Sequence, residues 1–502
     1  MKKLLLLLSI SCILVYSKAF AFSNGDKTAT AKDNYTIKVK INGIKDTTCM
    51  LAYYYGDKKY IRDTVKVDGK GNCVFKSDTA IEGGVYLAVL PNKTYFEFII
   101  AGKTEHNFSL ETDTANFIEK MKVTGSPENK VFYDYQLYIG KRYKEASDLR
   151  DQLKKLKNNK DSVEIINKRL KAINEDVTAY KDNVIKNNST LFYAKVLKAM
   201  TDPIIPTTPI LPNGRPDSLF PYHYYKAHYW DNIDFSDDRL LRTPVFHNKL
   251  VMYFDKMIVK HPDSINVAVD AIAAKSRANK EVFKYCLVHL LNEYANSKIM
   301  GMDAVYVHIA EKYYGGGDAF WVDQTLLYKI TDRAKTLKPL LIGKTAPNLM
   351  LKDTSEVYQS LYAIKQPYTL MVFWDPDCGH CQKAMPFLIE AYNKFHSKGL
   401  EVYAVTTESE RKKWVDFIVK HDLKWINVGD MDGSNHEFHN TYDITSTPKL
   451  FLLNDKKEIL AKQMGAEQLN DILDGFINKK AKNLGEIRIE NPEDTSPTEE
   501  HQ

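Results

Sequence analysis

The sequence lacks a strong excess of charge of either sign. Its 502 residues include 70 Lys and Arg and 64 Asp and Glu, which gives a formal net charge of +6. Basic residues alternate with acidic ones along the whole chain instead of forming a patch. Nucleic-acid-binding proteins concentrate positive charge on one face, so we expect no nucleic-acid partner.

Long apolar runs are absent beyond the N-terminal segment, so nothing later in the sequence is predicted to span a bilayer. Residues 1–21 combine a basic start, the apolar run LLLLLSISCILVY and a small-residue cleavage sequence that ends at Ala21. This pattern is typical of a secretory signal peptide and predicts export to the periplasm or cell envelope. The alternative is lipid attachment at Cys12, as in a lipoprotein, but residues 8–11 fit a lipoprotein signal poorly.

Cysteine is scarce, with 6 in the whole sequence. Removal of the signal peptide with Cys12 would leave an odd number, whereas small domains held together by disulfides carry paired cysteines. A disulfide framework is therefore excluded as the basis of the fold. Two remaining cysteines form a Cys-x-x-Cys motif and three are scattered: Cys378 and Cys381, then Cys49, Cys73 and Cys286.

The length favours about three domains, because single domains run to roughly 100–200 residues. We expect a multidomain protein that begins, after the signal peptide, with a small antiparallel β domain over residues 33–125. Segments such as YTIKVKIN and NCVFK alternate polar and apolar residues, as half-buried strands do. Cys49 and Cys73 fall in this β domain, either as two buried thiols or as a structural disulfide.

Residues 126–337 are predicted to form an α-helical domain. Ser126, followed by Pro127 and an acidic residue, is typical of a helix N-terminus. A segment rich in proline, residues 202–217, interrupts the helical pattern and is predicted to be an extended loop or linker.

Residues 341–482 alternate strand and helix patterns, which predicts an α/β domain. The run PYTLMVFW is continuously apolar, as expected for a strand buried on both faces, and an amphipathic helical pattern follows it. Two further strands are predicted at GLEVYAVTT and PKLFLLN. The last residues, 485–502, are acidic and polar and are expected to stay disordered.

The Cys-x-x-Cys motif lies where the first of these strands is followed by the helix. Cys378 is therefore expected at the helix N-terminus, where free N–H groups and the helix dipole lower the pKa of a thiol. Cys381 follows on the same helical face, within disulfide reach, and His380 between them is expected to lower the pKa of Cys378 further. This arrangement predicts a catalytic dithiol that needs no cofactor: Cys378 attacks a disulfide and Cys381 resolves the mixed disulfide.

A zinc site is the alternative interpretation of a Cys-x-x-Cys motif, but it would need two more ligands. No second Cys-x-x-Cys motif or histidine pair follows at the spacing of a zinc finger, although His436 and His439 lie nearby in the sequence. We therefore predict no metal site.

The segment FWDPDCGHCQKAMP resembles the active-site segment of thioredoxins and of TlpA/ResA-type extracytoplasmic thiol-disulfide oxidoreductases. The likeness rests on the Phe-Trp pair that ends the strand, the Cys-x-x-Cys motif, Pro386, and Thr447-Pro448 before a later strand. It implies a thioredoxin fold over residues 341–482, with Pro448 in the cis form. Thr447 would then pair with the substrate through its backbone, and Trp374 would pack under the active-site loop as part of the substrate-binding site.

The resemblance also implies partners. These are disulfide-bearing exported proteins as substrates and a membrane electron donor, whereas the oligomeric state is not indicated. The two upstream domains resemble modules that precede thioredoxin domains in Gram-negative envelope proteins, which implies a context and no activity of their own.

Three positions depart from the family pattern. Asp377 precedes the first cysteine, where the family commonly has Trp, and an acid there opposes thiolate formation. Val372 and Ala384 stand where thioredoxins and ResA-like proteins, respectively, often carry an acid that assists proton transfer. Cys381 therefore lacks its usual base, and His380 is the hypothesised substitute.

Two other functions are kept as alternatives. One is an envelope binding or scaffold protein with a weakly active thioredoxin domain. The other is a peroxidase, but the Pro-x-x-x-Thr/Ser-x-x-Cys segment of peroxiredoxins is absent, because Met371 and Asp375 replace its Pro and its hydroxyl residue. The Gly-His pair between the cysteines is also found in protein disulfide isomerases, whose potential of ~−180 mV lies between ~−270 mV and ~−120 mV, so a reductase or an isomerase of exported proteins is predicted.

Overall fold

A computed structural model of the chain describes residues 35–102, 107–155, 160–431 and 437–481. The predicted signal peptide with Cys12, the acidic tail at 485–502 and His436 lie outside these residues. The described residues fall into two compact units. The first holds the described residues of 35–52 and 61–145, and the second holds those of 53–60 and 146–481. None of the helices described combines the length and the apolar character that crossing a bilayer requires.

The β domain predicted for the N-terminal region is present. Its strands, within the described residues, are β1 (Tyr35–Asn42), β2 (Thr47–Tyr55), β3 (Lys58–Val67), β4 (Asn72–Ser77), β5 (Gly84–Val89), β6 (Tyr95–Ile100), β7 (Asn107–Asp113) and β8 (Lys122–Thr124). They form sheets in the orders β4-β1-β7-β8 and β3-β2-β5-β6. Phe98 of β6 and Phe108 of β7 meet edge to face with ring centroids 6.1 Å apart, so the inner faces of the two sheets pack on each other.

One strand pair of the β domain differs from the antiparallel arrangement that we expected. The pairs β1–β4, β5–β6 and β7–β8 are antiparallel, but β1 and β7 pair in parallel. Between β1 and β7 the chain passes through β5 and β6 of the other sheet. It therefore returns to β1 by a crossover, and a crossover connection allows parallel pairing.

Helices follow the β domain, as predicted. Their bounds are α1 (Pro127–Lys155), α2 (Lys160–Asn187), α3 (Phe192–Ala199), α4 (Phe220–His228), α5 (Pro244–Met252), α6 (Pro262–Ser276), α7 (Lys280–Ala295), α8 (Asp303–Ile309) and α9 (Gln324–Leu337). The Oγ atom of Ser126 accepts a hydrogen bond of 3.1 Å from the N–H of Asn129, which caps α1 as its sequence predicts. The proline-rich segment 202–217 has no helix, and an isolated bridge joins Ile210 to Pro216.

The C-terminal domain has the predicted α/β architecture. Its sheet, within the described residues, has the order β10-β9-β13-β12-β11-β14-β15. The strands are β9 (Met350–Asp353), β10 (Tyr358–Ser360), β11 (Tyr368–Trp374), β12 (Leu400–Thr406), β13 (Ile426–Gly429), β14 (Lys449–Asn454) and β15 (Ile459–Lys462). The helices are α10 (Gly379–Phe395), α11 (Arg411–His421), α12 (Phe438–Thr441) and α13 (Leu469–Leu473).

The central strand β11 is buried on both faces, as its continuous apolar sequence predicts. Val372 and Trp374 pack into the core that contains α10, while Met371 and Phe373 pack into the core on the opposite face. The strand β13 and the hairpin β9–β10 are absent from the sequence prediction, because strands of three or four residues are too short to show a periodic pattern.

A buried ion pair joins the helical region to the C-terminal domain within the second unit. Lys462 of β15 is 3% exposed and donates hydrogen bonds to Asp303 of α8 and to the carbonyl oxygen of Leu340. The two regions therefore share a polar contact inside their common core.

Candidate active site

The fold places Cys378 at the start of α10 by means of a tight turn. Strand β11 ends at Trp374, and the Oδ1 atom of Asp375 then accepts a hydrogen bond of 2.7 Å from the N–H of Asp377. The N–H of Cys378 donates to the carbonyl oxygen of Asp375 at 3.2 Å. Cys378 consequently takes the N-cap position of α10.

Thr447 and Pro448 reach the same place from a neighbouring strand. Strand β14 is antiparallel to β11, with Lys449 opposite Phe373, so the residues that precede β14 lie beside the end of β11. The Thr447–Pro448 peptide bond is cis. The carbonyl oxygen of Thr447 is 3.5 Å from the Sγ atom of Cys378, which donates to it. The structure thus brings together Cys378, Thr447 and Pro448.

Cys378 is partly exposed, and its surroundings favour the thiolate. Partial burial acts to raise the pKa of the thiol, but hydrogen bonds with the Thr447 side chain, with Cys381 and with the backbone N–H of His380 outweigh it. The net pKa of Cys378 lies below its usual value of 9.0. Because the thiolate is the attacking form of cysteine, Cys378 is the thiol of the pair whose surroundings better suit attack.

Cys381 has the opposite character. It is 1% exposed, and burial raises its pKa to about 11, despite hydrogen bonds with the Thr447 side chain and the Asp375 backbone that act in the other direction. Both cysteines are free thiols in this structure. The site therefore holds one accessible thiol of low pKa and, one helical turn further on, one buried thiol that keeps its proton.

His380 contributes to the site through its backbone. Its N–H is among the groups that lower the pKa of Cys378, as expected at a helix N-terminus. Its side chain is exposed at the surface of α10, and the effect expected from the imidazole stays a prediction.

The Asp377 carboxylate has a partner that the sequence did not indicate. Lys413 of α11 lies with its Nζ atom 2.7 Å from Asp377 Oδ2, and also 3.5 Å from Glu410 and 3.7 Å from Glu408. The positive charge of Lys413 partly neutralises the acid that was expected to oppose the Cys378 thiolate. No local pattern links two residues this far apart, so sequence reasoning missed Lys413.

Apolar side chains pack on the buried side of the site. Trp374 is 1% exposed, and its ring packs against Phe417 with centroids 5.0 Å apart. Trp374 was expected to form part of the substrate-binding site. Its burial corrects this expectation, because a buried ring has no face left to contact a substrate. It packs instead under the active-site loop. Val372 belongs to the same apolar cluster as Cys381, and Ala384 is also buried. The groups that shift the pKa of Cys381 include no carboxylate.

An open groove of about 690 Å³ lies in the second unit between α9 and residues 439–445. Its lining includes Thr445, two residues before Thr447.

Lys329, Arg333 and Lys335 line the groove from α9, and in the part of the chain that the structure describes they form no ion pair. Asp332 of α9 and Asp443 also line it. The α9 side of the groove therefore carries a net positive charge and is called its basic wall.

Across the described residues, no three His, Cys, Asp or Glu side chains are arranged to hold a metal ion. The ring of His439 stacks on that of Phe438 with centroids 4.2 Å apart.

Known proteins match the chain in three segments. A family model described as "Thioredoxin-like" matches residues 366–459. Residues 35–132 and 181–338 match two models that are each described as a domain of unknown function.

Solved structures resemble the C-terminal part of the chain. A domain of a possible thiol-disulfide isomerase from Cytophaga hutchinsonii is 40% identical, with 28% of this chain and 97% of that chain covered and a TM-score of 0.27. A thioredoxin-like protein from Bacteroides caccae is 22% identical, with 53% of this chain and 97% of that chain covered and a TM-score of 0.44.

Curated relatives also match part of the chain. The thiol-disulfide oxidoreductase ResA of Bacillus cereus is 29% identical over 138 residues. ResA of Bacillus thuringiensis is 30% identical over 138 residues, which are 28% of this chain and 78% of that protein. Given this identity over most of a relative's length, the chain belongs to the TlpA/ResA-type family of thioredoxin-like thiol-disulfide oxidoreductases.

Proposed function

We propose that this protein acts in the cell envelope, where it reduces or isomerises disulfides of exported proteins with Cys378 and Cys381. One observation carries the proposal. The thiol of Cys378, partly exposed and of lowered pKa, lies 3.5 Å from the Thr447 carbonyl oxygen, and the buried thiol of Cys381 is on the next turn of the same helix.

The first step is attack by Cys378. Its thiolate forms a bond with one sulfur of the client disulfide, the client S–S bond breaks, and the second client sulfur leaves with the electron pair and takes a proton from solvent. The Thr447 backbone beside Cys378 is placed to pair with the client backbone. The product is a mixed disulfide between Cys378 and the client.

The second step is resolution by Cys381. After losing its proton, Cys381 attacks the Cys378 sulfur, and the remaining client sulfur leaves as a thiolate. The client has gained two electrons, and Cys378 and Cys381 have become a disulfide. A dithiol donor at the membrane would then reduce this disulfide. Val372 and Ala384 supply no base, so His380 is assigned the proton transfer, by way of solvent.

The groove beside Thr445 is assigned to the client chain that flanks the disulfide. Its lining reaches Thr445, two residues before Thr447, and Lys329, Arg333 and Lys335 outnumber Asp332 on its α9 wall, which is therefore positively charged. An extended client segment with acidic residues complements that wall. The envelope location rests on the signal-peptide pattern of residues 1–21.

Reduction of insulin by the full chain, with dithiothreitol as the electron source, tests the function. We expect the wild type and Cys286→Ala to accelerate reduction and Cys378→Ser to abolish the acceleration. Cys381→Ser should instead accumulate a mixed disulfide with insulin, visible on a non-reducing gel. A wild-type rate equal to that of dithiothreitol alone would favour the binding or scaffold alternative.

A further inference from the structure

Two cysteines outside the active site face each other across the β domain. Cys73 lies on β4 opposite Val39 of β1, and Val39 is 1% exposed. Since residues directly opposite in a sheet share a face, Cys73 points between the sheets. Cys49 lies on β2 of the other sheet and is 0% exposed, as is Leu51 two residues later. Both thiols therefore point into the same interior from opposite sides.

The two thiols lie close enough to interact, and both are free in this structure. They are hydrogen-bonding partners, and this bond lowers the pKa of Cys73 and raises that of Cys49, which burial raises further. Cys286 provides a contrast within the same protein. It is completely buried on α7, burial raises its pKa to about 12, and its thiol bonds with Ser276 and not with another cysteine.

We propose that Cys49 and Cys73 are an oxidation site and that a disulfide oxidant joins them in a bond between the two sheets. The Cys73 thiolate attacks the oxidant, which is oxidised glutathione or a protein disulfide, and forms a mixed disulfide. Cys49 then loses its proton and displaces the oxidant's second sulfur. The two cysteines lose two electrons and two protons in total, and the oxidant becomes two thiols.

The burial of the pair determines when this bond forms and how long it persists. With Cys49 at 0% and Cys73 at 4% exposure, an oxidant reaches the thiols before the two sheets have packed, that is, during folding. Once the sheets are packed, the same burial keeps reductants away. The bond would therefore survive beside an active dithiol on the same chain, because exchange requires access to the sulfur.

Refolding of the full chain in glutathione buffers of graded redox ratio tests the proposal. Free thiols are trapped with iodoacetamide in guanidinium chloride, so that buried thiols react too, and the protein is then digested with trypsin without a reductant. Trypsin releases Cys49 in the peptide 46–58 and Cys73 in the peptide 71–76. We expect these peptides to be recovered linked, lighter by two hydrogens than their sum, in oxidising buffer. Recovery of both as separate alkylated peptides at every ratio would overturn the proposal.

Three controls separate this site from the active site. The variant Cys378→Ser/Cys381→Ser should form the same link, so the result does not depend on the proposed function. Cys73→Ser should yield peptide 46–58 alkylated, and the peptide with Cys286 should be alkylated in every sample. A link that appears in the wild type but not in Cys378→Ser/Cys381→Ser would mean that the active-site dithiol exchanges with this pair, which contradicts a shielded bond.

Resistance to reduction is the second readout. The oxidised wild type is treated with dithiothreitol, either native or in guanidinium chloride. The link should persist in the native protein and disappear in guanidinium chloride, and the oxidised β domain should melt at a higher temperature than the reduced one. Equal loss of the link in both solvents would overturn the proposed shielding.

Discussion

At the residue scale, the surroundings of two cysteines three positions apart shift their pKa values in opposite directions. Cys378 lies at the helix N-terminus, partly exposed, where the Thr447 side chain and backbone N–H groups stabilise its thiolate. Cys381 lies in the apolar core, and burial raises its pKa to about 11. In the proposed exchange, this difference sets the order of the two steps. The accessible thiolate attacks the client first, and the buried thiol reacts only in the second step.

Thr447→Val should make Cys378 less reactive at neutral pH. Valine keeps the shape of threonine but removes the hydroxyl that stabilises the thiolate, so the pKa of Cys378 should rise towards 9.0. Because alkylation by iodoacetamide requires the thiolate, its rate climbs with pH and levels off above the pKa. The midpoint of this profile should move to higher pH in Thr447→Val and stay in place in Thr445→Val. An unmoved midpoint would show that the hydroxyl has no such role.

His380→Ala should slow the resolving step and not the attacking step. If the imidazole carries the proton from Cys381, the mixed disulfide between Cys378 and a client peptide should live longer in His380→Ala than in the wild type. Stopped-flow measurement of both steps against pH separates them. A pH profile of resolution equal to that of the wild type would reject His380 as the base.

At the element scale, local sequence patterns predict individual helices and strands, whereas the contacts between these elements arise only in the folded chain. Strand β11, helix α10 and the Thr447-Pro448 pair could be predicted from the sequence, because continuous apolar runs, helix-start residues and a family motif are local patterns. Lys413, the strand β13 and the Lys462–Asp303 pair could not. Each depends on chain segments that meet only after folding, or on strands too short to show a period.

Lys413 on α11 should stabilise the Cys378 thiolate by partly neutralising the charge of Asp377. Lys413→Ala leaves the acid without its cation, so the Cys378 thiolate should become less favourable, and Asp377→Asn should have the opposite effect. Since the ion pair is exposed, each change in alkylation rate at neutral pH should be less than about fivefold and should shrink in high salt. Lys420→Ala on the same helix is the matched control. Equal rates in all variants would show that the ion pair has no influence on the thiol.

Removal of one member of the buried pair between β15 and α8 should strongly destabilise the second unit. Lys462→Met leaves Asp303 buried without its cation, which costs about 3–5 kcal/mol in comparable cases. Lys338→Met removes a cation from an exposed pair with Glu311 and should cost less than about 1 kcal/mol. Urea unfolding of each variant measures the difference, and Lys462→Met/Asp303→Asn should recover most of the loss. Similar costs for Lys462→Met and Lys338→Met would contradict the assignment.

At the scale of the whole molecule, the reactive thiol and the surface that would select its clients come from different parts of the chain. The C-terminal domain supplies Cys378 and Thr447, while α9 of the helical region supplies the basic wall of the adjoining groove. A helical region ahead of the thioredoxin-like domain therefore has a use in the proposed function, as the source of client specificity.

Charge reversal on this wall should alter client choice without altering the chemistry. In Lys329→Glu/Lys335→Glu, kcat/KM for a disulfide peptide flanked by acidic residues should fall roughly tenfold, because two favourable charge contacts become repulsive. Reduction of oxidised glutathione should keep its rate, and so should both reactions in Lys155→Glu, an exposed control outside the groove lining. An equal loss with both substrates would place the effect on the dithiol and not on client binding.

The Lys462–Asp303 pair also bears on how freely such domains are exchanged between proteins. The C-terminal domain carries a buried lysine whose counter-ion lies outside it, on α8. A chimera that transfers residues 341–482 alone would also transfer an uncompensated cation. A module that keeps this lysine paired therefore extends at least to Asp303.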